Sequence, residues 1–235
     1  MGGNKPTGIP TVDRRLNGGL HSGDILSIVA PPATQSQTLM YQLMKQRPTV
    51  YVTTLRSASS IERDMEMRGS RDLTYQVEAI GSTISMDNEL LRDLTGSRAY
   101  KTNSAVKEDP LDDLYDILES IDETCNVIVD PTNPLERGND RDAYVEVLKK
   151  LSVSMQENDG IGVLHCSTLE EAPPFREETL MVSDVVWEFD VVETTKSDVE
   201  YQMRVPKNRG GNVVLEVLSL DIGKNQVTVD DSRAI

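Results

Sequence analysis

The stretch Ala30-Pro31-Pro32-Ala33-Thr34-Gln35-Ser36-Gln37-Thr38 concentrates what chemistry this sequence could do. It follows residues 24–30 (DILSIVA), a short apolar run between Gly23 and Pro31 that predicts a buried strand. Residues 38–44 after it have helical character. Strand, turn loop and helix in that order form the topology of a phosphate-binding loop. Such a loop uses glycines to curl its backbone around phosphate and presents N–H groups at a helix N-terminus. Its lysine neutralises phosphate charge, and a Ser or Thr hydroxyl holds Mg²⁺. Here Thr34, Gln35, Ser36, Gln37 and Thr38 offer hydroxyls and amides, without a lysine or a glycine among them.

Other side chains carry weaker signals. Asp130 ends an apolar run, residues 125–129 (CNVIV). The run Asp130-Pro131-Thr132-Asn133-Pro134 reads as a strand-ending turn. Lys207 and Arg209 flank Asn208 in what reads as a hairpin turn with Gly210 and Gly211. His21 and His165 read as satisfied strand-end histidines, Trp187 as sheet core, and Met40, Met44, Met65 and Met67 as helix-face packing. Cys125 and Cys166 are too few for a disulfide scaffold and lack metal spacing, so they are expected as buried, reduced thiols.

The elements that must position these groups follow from apolar periodicity. Residues 49–54 predict a β-branched strand, and Ser59 with Glu62 a capping box for a helix running to Arg68. Residues 73–80 predict a strand. Pro110 opens a helix with an apolar stripe at Leu111, Leu114, Ile117, Leu118 and Ile121. A helix over about 141–156 and a buried strand over 161–166 (IGVLHC) follow the Asp130 strand. This alternation implies right-handed βαβ units and a parallel sheet. Strands over 184–192, 200–205, 213–220 and 226–229, joined by polar turns including Gly223-Lys224-Asn225, then predict an antiparallel extension. Residues 95–109 lack periodicity and read as a surface loop.

The chain has 235 residues, 39 acidic against 24 basic side chains and a formal net charge of -15. That excess opposes phosphate backbones and weighs against generic nucleic-acid coating. Acidic residues spread along the whole chain match a protein of a salt-accumulating, halophilic cell. No apolar run approaches the roughly 20 residues of a membrane span, and Met1 to Lys5 leads into no signal-peptide core, so a cytoplasmic location is expected.

From Pro6 to Asp24 (PTGIPTVDRRLNGGLHSGD) the sequence closely resembles the N-terminal signature of the RecA superfamily, its KaiC-like archaeal branch in particular. The features are Thr-Gly-Ile, a Val-Asp pair, Gly-Gly-Leu and a glycine before the first strand. The likeness continues through the Pro-Pro loop and the strand ending at Asp130. It closes with Arg204-Val205-Pro206-Lys207-Asn208-Arg209-Gly210-Gly211, which looks like the family's Lys-x-Arg-Gly element. The resemblance implies a single RecA/KaiC-like α/β domain over 1–235. That domain would have a RecA-like P-loop core, a mostly parallel twisted sheet flanked by helices and a C-terminal antiparallel extension.

Carried over residue by residue, the resemblance gives a degenerate Walker A loop. Ala30 and Ala33 stand where Gly is usual, and Gln35 stands at the glycine before the lysine. Ser36 takes the lysine position and Gln37 the Mg²⁺-binding hydroxyl, with Thr38 keeping a hydroxyl one residue on. A side chain at Gln35 is expected to cost about 1 kcal/mol where positive φ is needed. Losing the lysine removes a contact worth roughly 1.5–3 kcal/mol, at least tenfold in affinity. Leu55 and Arg56 occupy the place of the family's water-activating acids, and neither is a general base at neutral pH. Asp130 keeps the position that in the family would hold Mg²⁺ through water, and Lys207 and Arg209 resemble residues that reach a neighbour's γ-phosphate.

The two loops that contact DNA in the family's recombinases correspond to residues 131–142 and 167–178. In the second, Glu170, Glu171, Glu177 and Glu178 oppose Arg176 alone, which disfavours a DNA backbone; the first, with Arg137 and Arg141 among Glu136, Asp140 and Asp142, is near neutral. The expected function is a non-catalytic regulatory or structural partner, in a homo-oligomer or with an active ATPase relative. No cofactor is expected, and ATP/Mg would bind weakly. The alternative is an ATP-binding RecA-family ATPase of DNA repair, recombination or signalling with an atypical loop. A third class is a DNA-binding recombination mediator.

Overall fold

The computed structural model describes residues 3–32, 34–68, 73–81, 109–195, 198–223 and 226–229. Ala33, the predicted loop over 95–108 and the turn residues Lys224 and Asn225 lie outside the described residues. Helices are α1 (Pro10–Arg15), α2 (Gln37–Met44), α3 (Ala58–Met67), α4 (Pro110–Glu119), α5 (Asn133–Glu136), α6 (Arg141–Glu157) and α7 (Arg176–Val182). Strands are β1 (Ile25–Ala30), β2 (Thr49–Thr53), β3 (Tyr75–Ala79), β4 (Asn126–Asp130), β5 (Ile161–Ser167), β6 (Val185–Thr195), β7 (Asp198–Asn208), β8 (Val214–Ile222) and β9 (Val227–Val229).

They form one nine-stranded sheet in the order β3-β2-β4-β5-β1-β6-β7-β8-β9. The pairs from β3 to β6 are parallel, and the pairs from β6 to β9 antiparallel. Alternation along the parallel strands sends side chains into two apolar layers. Leu26, Ile28, Tyr51, Ile128, Ile161 and Val163 pack with α2 residues Leu39, Met40 and Leu43. Val52, Val127, Val129, Leu164 and Cys166 pack on the other face with Leu111, Leu114 and Leu118 of α4 and Tyr144, Leu148 and Leu151 of α6.

Local chemistry explains the helix starts. The side chains of Asp109 and Asp140 accept from Leu111 and Ala143 backbone N–H groups and cap α4 and α6. In α3 the cap is Ser57, accepting from Ser60 N–H, two residues before the predicted Ser59. Ser57 has the extended backbone an N-cap needs, whereas Ser59 already lies inside the helix. Two segments read as loops contain short helices, α5 and the start of α7. The hairpin strands run longer than predicted, so Lys207 and Asn208 are still paired within β7. Trp187 is fully buried in the sheet, and both cysteines are buried free thiols. Met40, Met44 and Met65 are core, whereas Met67 is exposed.

The N-terminal signature does structural work. Asp13 accepts from both the backbone N–H and the hydroxyl of Thr7, at 2.8 and 2.7 Å. Lys5 and Leu20 exchange backbone hydrogen bonds of 2.6 and 2.9 Å, closing this segment on itself. Gly19 makes that closure possible: its φ is +109°, and a Cβ there would lie 2.2 Å from the Lys5 carbonyl oxygen. Gly19→Ala is therefore expected to destabilise the protein by about 1–3 kcal/mol, read as a lowered urea midpoint with an unchanged slope.

Candidate functional site

The carboxyl ends of β1, β4 and β5 meet below the start of α2. In register, Val129 of β4 lies opposite Leu164 of β5, and Ile28 of β1 opposite His165. Asp130 is two residues beyond Ile128, and His165 two beyond Val163, so both side chains fall on the α2 face. Tyr51 of β2, opposite Ile128, faces the same way. The loop after β1 then delivers Ser36 to this point as the residue preceding α2, with helical φ of −57° and ψ of −31°.

The result is a continuous buried chain of hydrogen bonds. Ser36 Oγ lies 3.0 Å from His165 Nε2, and His165 Nδ1 lies 2.5 Å from Asp130 Oδ1. Tyr51 donates its hydroxyl to Asp130 Oδ2. With Asp130 ionised, Nδ1–H donates to the carboxylate and Nε2 accepts from the Ser36 hydroxyl. Thr34, half-buried, donates to the Pro31 carbonyl at 2.9 Å and to Ser36 Oγ at 3.2 Å. Relative exposures are 2% for Ser36, 3% for His165 and 5% for Asp130, so the chain is closed to bulk water.

The electrostatics follow from that burial. Burial raises the Asp130 carboxyl, but the His165 and Tyr51 hydrogen bonds, with the Arg56 charge, outweigh it and hold it below its ordinary 3.8. Tyr51 moves the other way: burial and then the Asp130 charge push its hydroxyl well above 10.0, so it remains a donor. Arg56 lies close enough for its charge to act on Asp130. The Arg56 guanidinium donates to Asp64 at 2.6 Å, and Leu55 is exposed.

The predicted loop residues divide. Thr34 and Ser36 join Asp130, whereas Gln35 is exposed and Gln37 opens α2. Gln35 is not among the described residues with positive φ, so the strain expected there does not arise. The loop has settled into a right-handed turn instead, with Thr38 N–H donating to the Gln35 carbonyl and Leu39 N–H to that of Ser36, each at 2.9 Å. Thr38 is buried and its hydroxyl accepts from Arg68 at 3.1 Å. His165 is satisfied, as expected of a strand histidine, but its partners are Asp130 and Ser36. It and Tyr51 are the site residues that sequence reasoning missed.

Lys207 and Arg209 lie elsewhere. Lys207 pairs through Val186 with Ser27, toward the start of β1, whereas the Ser36 loop follows its end. Lys207 Nζ donates to the carbonyls of Leu180 and Met181 at 2.7 and 3.3 Å, and Arg209 Nη2 to those of Met181 and Ser183 at 3.0 and 3.4 Å. Both cations thus cap the C-terminus of α7 in their own chain. The basic residue of the acidic loop is also spoken for: Arg176 is buried against Glu136 in a two-pronged pair, Nε to Oε1 at 2.9 Å and Nη2 to Oε2 at 2.7 Å. Glu170, Glu171 and Glu177 are left exposed.

A family model described as "Family of unknown function (DUF7125)" matches residues 4–235. The chain belongs to that family. No curated protein matches this DUF7125 chain. Among solved structures, a KaiC-like protein from the hyperthermophilic archaeon Pyrococcus horikoshii is similar, with a TM-score of 0.69 and 16% identity over 98% of this chain and 100% of that one. The DUF7125 chain therefore has a RecA/KaiC-like fold, as its sequence resemblance implied. Among the described residues no helix is long and apolar enough to cross a membrane.

Two outcomes test the hydrogen-bonded chain. Tyr51→Phe leaves a buried carboxylate oxygen without its donor and is expected to cost about 1–3 kcal/mol in denaturant unfolding. Because the folded Asp130 carboxyl is lowered from 3.8, its stabilisation is complete above that value and lost as pH falls through the folded one. The stability gap between wild type and Asp130→Asn, largest near neutral pH, should narrow below pH 3.8 in a series of urea titrations.

Proposed function

We propose that this DUF7125 protein uses a RecA/KaiC-like fold without turning over nucleotide, as a regulatory or structural partner of itself or of an active ATPase relative. The observation that carries this reading is the inward bond of Ser36 to His165. At the position where a phosphate-binding loop would extend a lysine, the side chain is short, neutral and turned into the sheet. Asp130, the residue that would hold Mg²⁺ through water, has both carboxylate oxygens occupied by His165 and Tyr51. The N–H groups of Thr38 and Leu39 are likewise bonded within the loop. With those groups engaged, the residues present do not fit a Mg-nucleotide, which supports reading the loop as degenerate.

Lys207 and Arg209 do not carry the association role as they stand: both sit outside the Ser36 site, and reaching a neighbour would require them to release the α7 carbonyls. The burial of Arg176 in an otherwise acidic loop weighs against a DNA partner.

Titration with ATP and Mg²⁺ in high salt, followed by calorimetry and thermal shift, is expected to show no saturable binding and no phosphate release. Saturable binding with phosphate release abolished by Asp130→Ala would overturn the proposal in favour of an atypical ATPase.

A further inference from the structure

The same buried chain has the form of an activated nucleophile. A serine hydroxyl bonds a histidine, whose other ring nitrogen bonds a carboxylate, at 3.0 and 2.5 Å. These are the roles and distances of a nucleophile, a general base and the group that orients it. Ser36 stands between a strand and a helix, and the three residues follow in the chain order Ser36, Asp130, His165. Both features recur where a serine is presented at the carboxyl end of an α/β sheet. The turn differs from the glycine-flanked elbow of such enzymes: Thr34 and Thr38 flank Ser36 at two residues' distance, and Ser36 is helical rather than strained. Tyr51, donating to the second oxygen of Asp130, fixes the carboxylate that holds the imidazole.

We propose that Ser36, His165 and Asp130 form a serine nucleophile that accepts an acyl group from a small uncharged ester. The substrate class follows from charge. The described loop residues include no lysine or arginine, the chain carries a net charge of -15, and a phosphorylated substrate would meet no compensating cation from this loop. Ser36 Oγ forms a bond to the ester carbonyl carbon while its proton moves to His165 Nε2. The C–O bond to the leaving alcohol breaks, and the alcohol departs with that proton. Water, giving a proton to His165, then attacks the acyl-serine and releases the carboxylic acid, restoring the serine hydroxyl. Asp130 holds the imidazolium in both halves.

Access is the constraint this site must meet, since Ser36 is 2% exposed. Among the described residues its side-chain partners are His165 beneath and the half-buried Thr34 hydroxyl. Acyl transfer therefore requires an opening step, which we assign to release of the Thr34 hydroxyl, the less buried of the two partners of Ser36.

The test uses the whole chain and a fluorophosphonate probe, with adducts located by peptide mass spectrometry. In that reaction a serine–phosphorus bond forms as the phosphorus–fluorine bond breaks, and fluoride leaves while His165 takes the proton. One adduct per chain on Ser36 is expected, absent in Ser36→Ala and faster in Thr34→Ala. Labelling should be about 10²-fold slower in His165→Gln, the range of a lost general base. No adduct on Ser36 in either wild type or Thr34→Ala overturns the proposal, as does labelling of folded His165→Gln at the wild-type rate. The proposal rests on the reading that Ser36 faces His165 rather than a phosphate. Saturable Mg-ATP binding would defeat both, whereas a Ser36 silent toward the probe defeats only this one.

Discussion

A carboxylate buried at the end of a central strand must be held by donors, because its lost hydration is far costlier than a typical hydrogen bond is worth. Asp130 is such a group, and its two oxygens are met by His165 from β5 and Tyr51 from β2. Those strands flank β4 on either side, so one charge ties three neighbouring strands together at the same end of the sheet. The second nitrogen of His165 then needs its own partner in a dry environment, and Ser36 supplies it. Satisfying Asp130 thus reaches outward to the loop after β1 and sets which way its central side chain points.

The rest of the charge is arranged on the same logic at other places. Lys207 and Arg209, on or just beyond the antiparallel extension, meet the exposed carbonyls at the end of α7, where the helix dipole is negative. Arg176 at the start of the same helix is buried on Glu136, whose Oε1 also accepts from Thr179 at 2.6 Å. These three cations are therefore consumed within the chain, while Glu170, Glu171 and Glu177 stay at the surface. Burial of Cys166 beside this network pushes its thiol up to about 11, which keeps it protonated and unreactive at neutral pH. Ser36 differs from that thiol in having a buried histidine to take its proton.

Much of the fold was legible in one dimension. Continuous apolar runs such as IGVLHC and CNVIV mark strands covered on both faces, and their alternation with amphipathic helices dictates parallel pairing. The short helices α5 and α7 were missed because four and seven residues carry too little periodicity to register. The candidate site was half legible. Thr34, Ser36 and Asp130 stand out by type and place, whereas His165 looked like one polar residue in an apolar strand. A signal was present: Ile161, Val163 and His165 share one face of β5, as Ile128 and Asp130 share one face of β4. What the sequence lacks is the register that sets those two faces side by side.

By itself, then, the sequence determined the fold class, the loop's lack of lysine and glycine, and the acid excess, because composition and periodicity are local properties. Tertiary structure decided what the loop does with its hydroxyls. Gln35 escaped the strain expected of it because the loop took a right-handed turn, and Ser36 turned inward because β4 and β5 lie adjacent, with Val129 opposite Leu164. Lys207 and Arg209 were visible as cations, but only the packing of α7 beside β7 directed them to its carbonyls. Partnership between side chains 35 or more residues apart depends on which strands neighbour each other, and that order is a property of the folded sheet.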